Sequence, residues 1–397
     1  RILSVSESGR RVHELGSKSS SNVAATAVIL IPAVSTHPTY PFAEPRSPSR
    51  TGVSAVFGIV ASMRPLPMLP PASLSRTSID RNHRLRAAGI DAVWQTGRAH
   101  ALAGHRGALL ISRGGLHLLT QDQVPQDAEL FYLGQDEAGD HFIGAALKDE
   151  GRAELDRWVG AQQARDAEAW LTDPIGGLDA TEPTWMTLRD LGEQLNDRDV
   201  ALATSLIALG NWHATHTHSP RSGEPTQSEQ SGWVRRDPVA GSGHFPRSDP
   251  AVIMAVVHTD PQGEEHLLLG SNAMWPEDRY SLLAGFVEPG ETLESAVIRE
   301  VHEEAGIVVR APRYLGSQPW PFPASLMLGF TAEADSMETS ADDDEITALR
   351  WFTRQELRDA IAARQVAVPT TVSIAGQILH GWLDLDLTGD DPAPAGP

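Results

Sequence analysis

From residue 92 onward the chain alternates short apolar runs with glycine-containing turns: AVWQTGRAHALAGHRGALLISRGGLHLLT. Apolar runs punctuated in this way predict short strands. Residues 129–147, ELFYLGQDEAGDHFIGAAL, predict a hairpin of two apolar strands around a D-E-A-G-D turn. The period then changes: over 181–216, Leu188, Leu191, Leu195, Val200, Ala203 and Leu206 recur at helical intervals. AVIMAVVHTD (251–260) and EHLLLGSNAM (265–274) predict further strands, and YSLLAGFVEPGE (280–291) a strand that runs into a loop. Leu293, Ala296, Val297, Val301 and Ala305 then predict a helix, with Thr292 as its N-cap and Gly306 as its stop. SLMLGFTAEA (325–334) and ALRWFT (348–353) complete a sheet, and RQELRDAI (354–361) and TVSIAGQILHGWL (371–383) predict two more helices.

A length of 397 residues points to more than one domain, and a 41% hydrophobic content supplies ordinary cores. No apolar run is long enough to span a bilayer. The net charge of −20 gives a broadly acidic surface, which repels nucleic-acid backbones in general but not capture of a capped end at a local pocket. The absence of cysteine excludes disulfides and thiolate metal sites, and fits a cytoplasmic location.

The predicted helix at 293–305 places Glu300, Glu303 and Glu304 at i, i+3 and i+4, on one face. Three neighbouring carboxylates repel unless a cation neutralises them, and an all-oxygen set suits a hard ion such as Mg²⁺ or Mn²⁺. On their own, such residues are more often a solvated acidic face.

The surrounding spacing changes that balance. Gly285, five residues, Glu291, seven residues, Arg299-Glu300-Val301, one residue, Glu303-Glu304, one residue and Gly306-Ile307 resembles the Nudix box at every defined position. The resemblance implies an α/β/α sandwich, with the box forming loop, helix and loop. It implies hydrolysis of a nucleoside diphosphate linked to another group, divalent metal on the matching glutamates, and a structural pairing of Arg299 with Glu291. Glu303 is our choice for the base.

Ser317–Ser325 reads SQPWPFPAS. Three prolines interrupt helix and ladder alike and hold Trp320 and Phe322 on a stiff extended loop, either as a stacking surface or as a packed corner. Placed after a Nudix box, this stretch resembles the marker of the NADH pyrophosphatase subfamily. That implies cleavage of NAD(H) to nicotinamide mononucleotide and AMP, with removal of NAD caps from RNA 5′ ends as a further activity. By the same matching, Gln318, Trp320 and Ser325 fall on substrate-contacting positions, Phe286 and Phe245 on aromatic positions near a base, and Ala375 where backbone meets a substrate phosphate. Glu345, six residues before Trp351 in an acidic loop, matches a further metal ligand, with Asp342, Asp343 and Asp344 as competitors.

The expected architecture is thus a Nudix α/β/α sandwich with an N-terminal α+β domain and a small metal-less ribbon-like insert. Residues 1–62 are expected to be a disordered extension ahead of a natural start at Met63. The alternative is a targeting peptide, since Arg10-Arg11 precedes an apolar run. Residues 63–205 form the N-terminal domain, 206–249 the ribbon segment, 250–385 the Nudix domain and 386–397 a disordered tail. Subfamily members commonly carry a four-cysteine zinc ribbon, but here those positions read Ser219, Ser222, Asp237 and Ala240. Serine is a poor zinc ligand and alanine is none, so zinc is not expected. Burial of Trp233, Phe245 and Val239, or dimer packing, would hold the ribbon instead. A rebuilt site on His213, His216, His218 and His244 is the rival reading. A metal-dependent NAD(H) diphosphatase, cytoplasmic and homodimeric, is the favoured function. A broader Nudix hydrolase acting on ADP-ribose and a non-catalytic nucleotide-binding regulator are the alternatives.

Overall fold

Asp249–Thr259 is apolar without alternation because it is covered on both faces. Val252, Met254 and Val256 pack with Ala296, Val297, Val301 and Ala305 of the helix Leu293–Ala305. Ile253, Ala255 and Val257 pack on the opposite side with Leu357, Ile374, Ile378, Leu379 and Trp382 of the helices Arg354–Ala362 and Ile374–Trp382. The result is a helix–sheet–helix sandwich. In this computed structural model residues 66–112, 115–166, 183–341 and 345–384 are described. The expected extension 1–62, the start at Met63, the tail 386–397 and the competitors Asp342, Asp343 and Asp344 lie outside the described residues. Every described residue falls in one compact unit.

The sandwich is built on a six-stranded mixed sheet. Asp249–Thr259 pairs in parallel with Ser325–Ala334 and antiparallel with Glu265–Asn272 and Leu283–Phe286. Val309–Trp320 forms one edge and Ile346–Thr353 flanks Glu265–Asn272. The edge position explains how a strand ending in Pro319-Trp320 is tolerated. Across the sheet, Phe286 faces Ala251, Ala251 faces Met327, and Met327 faces Gln318. This row runs from the strand entering the glutamate helix to the proline-rich segment, roughly 14 Å away at ordinary strand spacing.

The N-terminal region forms a second, seven-stranded sheet, and the expected hairpin is present as Glu129–Gln135 paired with His141–Ala146. The single helix expected over 181–216 is divided. Thr184–Thr187 adds to the sheet against residues 108–111, Leu188–Leu191 is one short turn, and Asp197–Thr215 is the long helix. The break follows local chemistry: the Thr187 and Asn196 side chains each cap a new helix start. Between the two large sheets, Gln227–Glu229, Val234–Arg236 and Gly243–His244 make a three-stranded ribbon. Among the described residues no helix is long and apolar enough to cross a membrane.

Candidate active site

Thr292 caps the helix Leu293–Ala305 by accepting the Ser295 amide, worth about 1 kcal/mol, and Gly306 closes it at φ 69°. The apolar face of the helix is buried under the sheet, so Arg299, Glu300 and Glu303 gather at its rim. One guanidinium organises three carboxylates. Arg299 Nε and Nη2 donate to the two Glu291 oxygens at 2.8 and 2.9 Å. Arg299 Nη1 reaches Glu303 Oε2 and Glu300 Oε1, each at 2.9 Å. Arg299 Nη2 also donates to the Phe286 carbonyl at 2.9 Å, tying the helix to the strand end. The bidentate pair holds the Glu291 carboxyl below its ordinary range and the Arg299 guanidinium above its own. Burial pushes the Glu300 carboxyl up, against the pull of Arg299.

Gly285 fits closely against this group. A Cβ there would overlap the Glu300 carboxylate itself, so glycine is what lets Glu300 lie flat on the strand. Glu304 is buried and Glu303 is the outermost, its side chain 58% exposed. With Glu291 matched by Arg299, the rest of the cluster carries excess negative charge, all of it on hard oxygen donors. That donor set fits a divalent cation of the Mg²⁺ or Mn²⁺ kind.

Glu345 is exposed at the start of Ile346–Thr353, with Asn272 Nδ2 donating to its Oε1 at 3.4 Å. The next residue, Ile346, packs into the same cluster as Val297 and Val301 of the glutamate helix. Phe286 leaves its ring 58% exposed at the end of its strand, open for stacking. Phe245 is likewise exposed on the ribbon, and Ser325 sits opposite Trp320 where the two strands meet.

Two residues expected at substrate-contacting positions also have partners within the chain. Gln318 has no exposed surface. Its side-chain amide is spent on the backbone: Nε2 donates to the Val372 carbonyl and Oε1 accepts the Ile374 amide, both at 2.7 Å. It therefore pins the first turn of Ile374–Trp382. Ser373 caps the Gly376 amide of the same turn, so the Ala375 amide is the donor left over for an anion. Trp320 is half-buried: with Phe322 it packs against the N-terminal core, and Arg189 covers both rings. The packed corner, one of the two readings of this stretch, describes most of its surface.

Of the three residues expected to hold the ribbon by burial, only Trp233 packs on a core, and hydrogen bonds supply the rest. Val239 and Phe245 are 72% and 68% exposed. At the positions expected to match the ribbon cysteines the Asp237 carboxylate, fully buried, accepts the Ser222 hydroxyl at 2.7 Å and the Val239 and Ala240 amides at 2.9 and 2.8 Å. With the Ser219 hydroxyl beside it, these bonds hold the carboxyl far below the ordinary range. His244 Nε2 meets Ser219 Oγ at 3.2 Å. Trp233 anchors the ribbon outward: its Nε1 donates to the Tyr132 carbonyl at 2.8 Å and the Arg86 guanidinium lies 3.8 Å from its ring centroid. His213, His216 and His218 each turn to separate neighbours, so the four histidines are not brought together.

Among the described residues the one group of metal-ligating side chains within mutual coordination distance is Asp260, Glu264 and His266, at the turn joining Asp249–Thr259 to Glu265–Asn272. Asp260 already accepts the Gln262 and Glu264 amides at 2.9 and 2.8 Å, which explains the cluster as turn chemistry. A cavity of about 720 Å³ lies away from the box, lined by Lys148, Asn211, His213 and Arg235 among others.

A sandwich with an arginine-ordered set of glutamates on the helix following the short strand Leu283–Phe286 defines a class of phosphoanhydride-handling proteins. The NUDIX domain profile matches residues 249–370. A Mycobacterium bovis protein described as NAD-capped RNA hydrolase NudC is 37% identical over 342 residues, covering 82% of this chain and 98% of that protein. Human NAD-capped RNA hydrolase NUDT12 is 38% identical over 204 residues, 49% of this chain and 44% of that protein. A Nitrosomonas europaea NUDIX hydrolase structure overlays with a TM-score of 0.30 at 21% identity, over 35% of this chain and 79% of that one. The chain belongs to the Nudix family, in its NudC-type branch.

Proposed function

We propose that the chain hydrolyses the central pyrophosphate of NAD(H), free or as the 5′ cap of an RNA, giving nicotinamide mononucleotide and AMP or the 5′-monophosphate RNA. The observation that carries this reading is the Arg299-ordered carboxylate group at the strand end that also presents Phe286. The near full-length likeness to proteins described as NAD-capped RNA hydrolases supports the substrate.

Glu300, Glu303, Glu304 and Glu345 would hold the divalent cation that Nudix hydrolases generally use, which supplies neutralisation of the pyrophosphate oxygens. The chain's own residues do the rest. Phe286 stacks one base, with Phe245 as a second aromatic face, and the Ala375 amide meets a phosphate oxygen. Arg299 Nη1 holds Glu300 and Glu303 beside one another. A water oxygen forms the new bond to phosphorus as the bridging P–O bond breaks, and Glu303 accepts the proton it sheds. The division at 205 and 249, the homodimer and a cytoplasmic setting belong to the same proposal and rest on the family resemblance.

The test is incubation with NADH, NAD⁺, ADP-ribose and NAD-capped RNA in Mg²⁺ or Mn²⁺, with product identification. NMNH and AMP from NADH are the expected products. Turnover of ADP-ribose with NADH untouched would move the chain to the broader Nudix activities, and tight binding without products would make it a regulator. Gly285→Ala tests the site's geometry: we expect about a hundredfold loss of kcat/KM because the Glu300 carboxylate must swing aside. A side-chain end moves at small cost, so Tm should shift by less than about 3 °C.

A further inference from the structure

We propose that Asn211 is a positioning residue for this reaction, fixing the Ser317–Ser325 segment from the N-terminal region; this rests on the substrate reading above. Pro319, Pro321 and Pro323 carry no N–H, so the segment cannot close its own ladder. The strand pairing ends at Trp320 and Ser325, leaving the carbonyls of the turn to find donors elsewhere. Asn211 supplies both from one amide: Nδ2 donates to the Pro321 carbonyl at 2.9 Å and to the Pro323 carbonyl at 3.1 Å. These two bonds straddle Phe322.

The donor stands on a rigid support. Asn211 lies near the end of Asp197–Thr215, whose Leu202, Leu206 and Leu209 are buried in the N-terminal core. Arg189 adds a second grip, its guanidinium 4.3 Å from the Phe322 ring centroid. Phe322 meets Trp320 edge-to-face at 5.1 Å, and Ser75 Oγ donates to the Ser317 carbonyl at 2.9 Å. The same segment ends in Gln318 on one arm, which pins the turn holding Ala375, and Ser325 on the other. A shift of the segment therefore moves the turn holding the Ala375 amide and the Ser325 strand start together.

The decisive comparison is Asn211→Asp with Asn211→Ala. Aspartate keeps the shape but turns both donors into charged acceptors facing two carbonyl oxygens. We expect KM for NADH to rise about tenfold in Asn211→Ala and further in Asn211→Asp, with kcat within about threefold of wild type. Amide exchange at Trp320, Phe322 and Ser325 should quicken by about tenfold or more, with the helix Leu293–Ala305 unchanged. An aspartate variant with wild-type KM and exchange would overturn the proposal, as would a lowered Tm with KM unmoved in both variants. A wild-type protein that leaves NADH intact would reject the substrate reading, while the exchange measurement still judges the clamp by itself.

Discussion

Glu303→Gln is expected to lower kcat by about a thousandfold with KM little changed, while Tm stays within about 2 °C of wild type. The substitution is isosteric and removes one negative charge and one proton acceptor at the outermost of the box carboxylates. The ion pair it weakens is largely exposed, and such pairs contribute no more than about 1 kcal/mol. Arg299 retains its two bonds to Glu291 and its contact with Glu300, so the helix stays docked. Steady-state kinetics on NADH alongside a melting curve checks both halves. Near-normal turnover would remove Glu303 from the proton transfer and turn attention to Glu304 and Glu345.

Asp237→Ala should produce the largest loss of stability of any change in the ribbon, lowering Tm by about 5 °C or more. It leaves two amides and the Ser219 and Ser222 hydroxyls without the buried acceptor they share. Asp237→Asn should cost less, since its amide oxygen still accepts. The pH dependence has a definite sign. The folded carboxyl lies far below its unfolded value of about 3.9, so its contribution is complete above about pH 4 and is lost as pH falls further. The wild-type ribbon should therefore stay protected from proteolysis across neutral pH and open in acid, whereas Asp237→Ala should be cut at every pH. Equal proteolysis of wild type and Asp237→Ala at pH 7 would show that something else holds the ribbon.

Much of the sandwich was legible because its signals are local. The apolar strand 251–260, the Thr292 cap and the Gly306 stop depend on neighbours within a few residues, and the spacing that pairs Arg299 with Glu291 is written into one short segment. The inward turn of Gln318 was not legible, because its partners Val372 and Ile374 lie more than fifty residues away. Asn211 had no sequence signal at all: its acceptors exist only once prolines from a distant segment are packed beside it. The ribbon lay between these cases. Its missing cysteines were plain, but the S-x2-S and D-x2-A spacings gave no hint that one buried carboxylate collects the knuckle donors. The helical period over 181–216 misled because cap residues inside it, Thr187 and Asn196, outweigh a continuous apolar stripe.

The carboxylate at the heart of the ribbon also closes this part of the chain with its own oxygens and amides. A chelator added to the protein is therefore expected to leave the ribbon's protection from proteolysis unchanged, and with no thiol anywhere in the sequence no disulfide enters its closure.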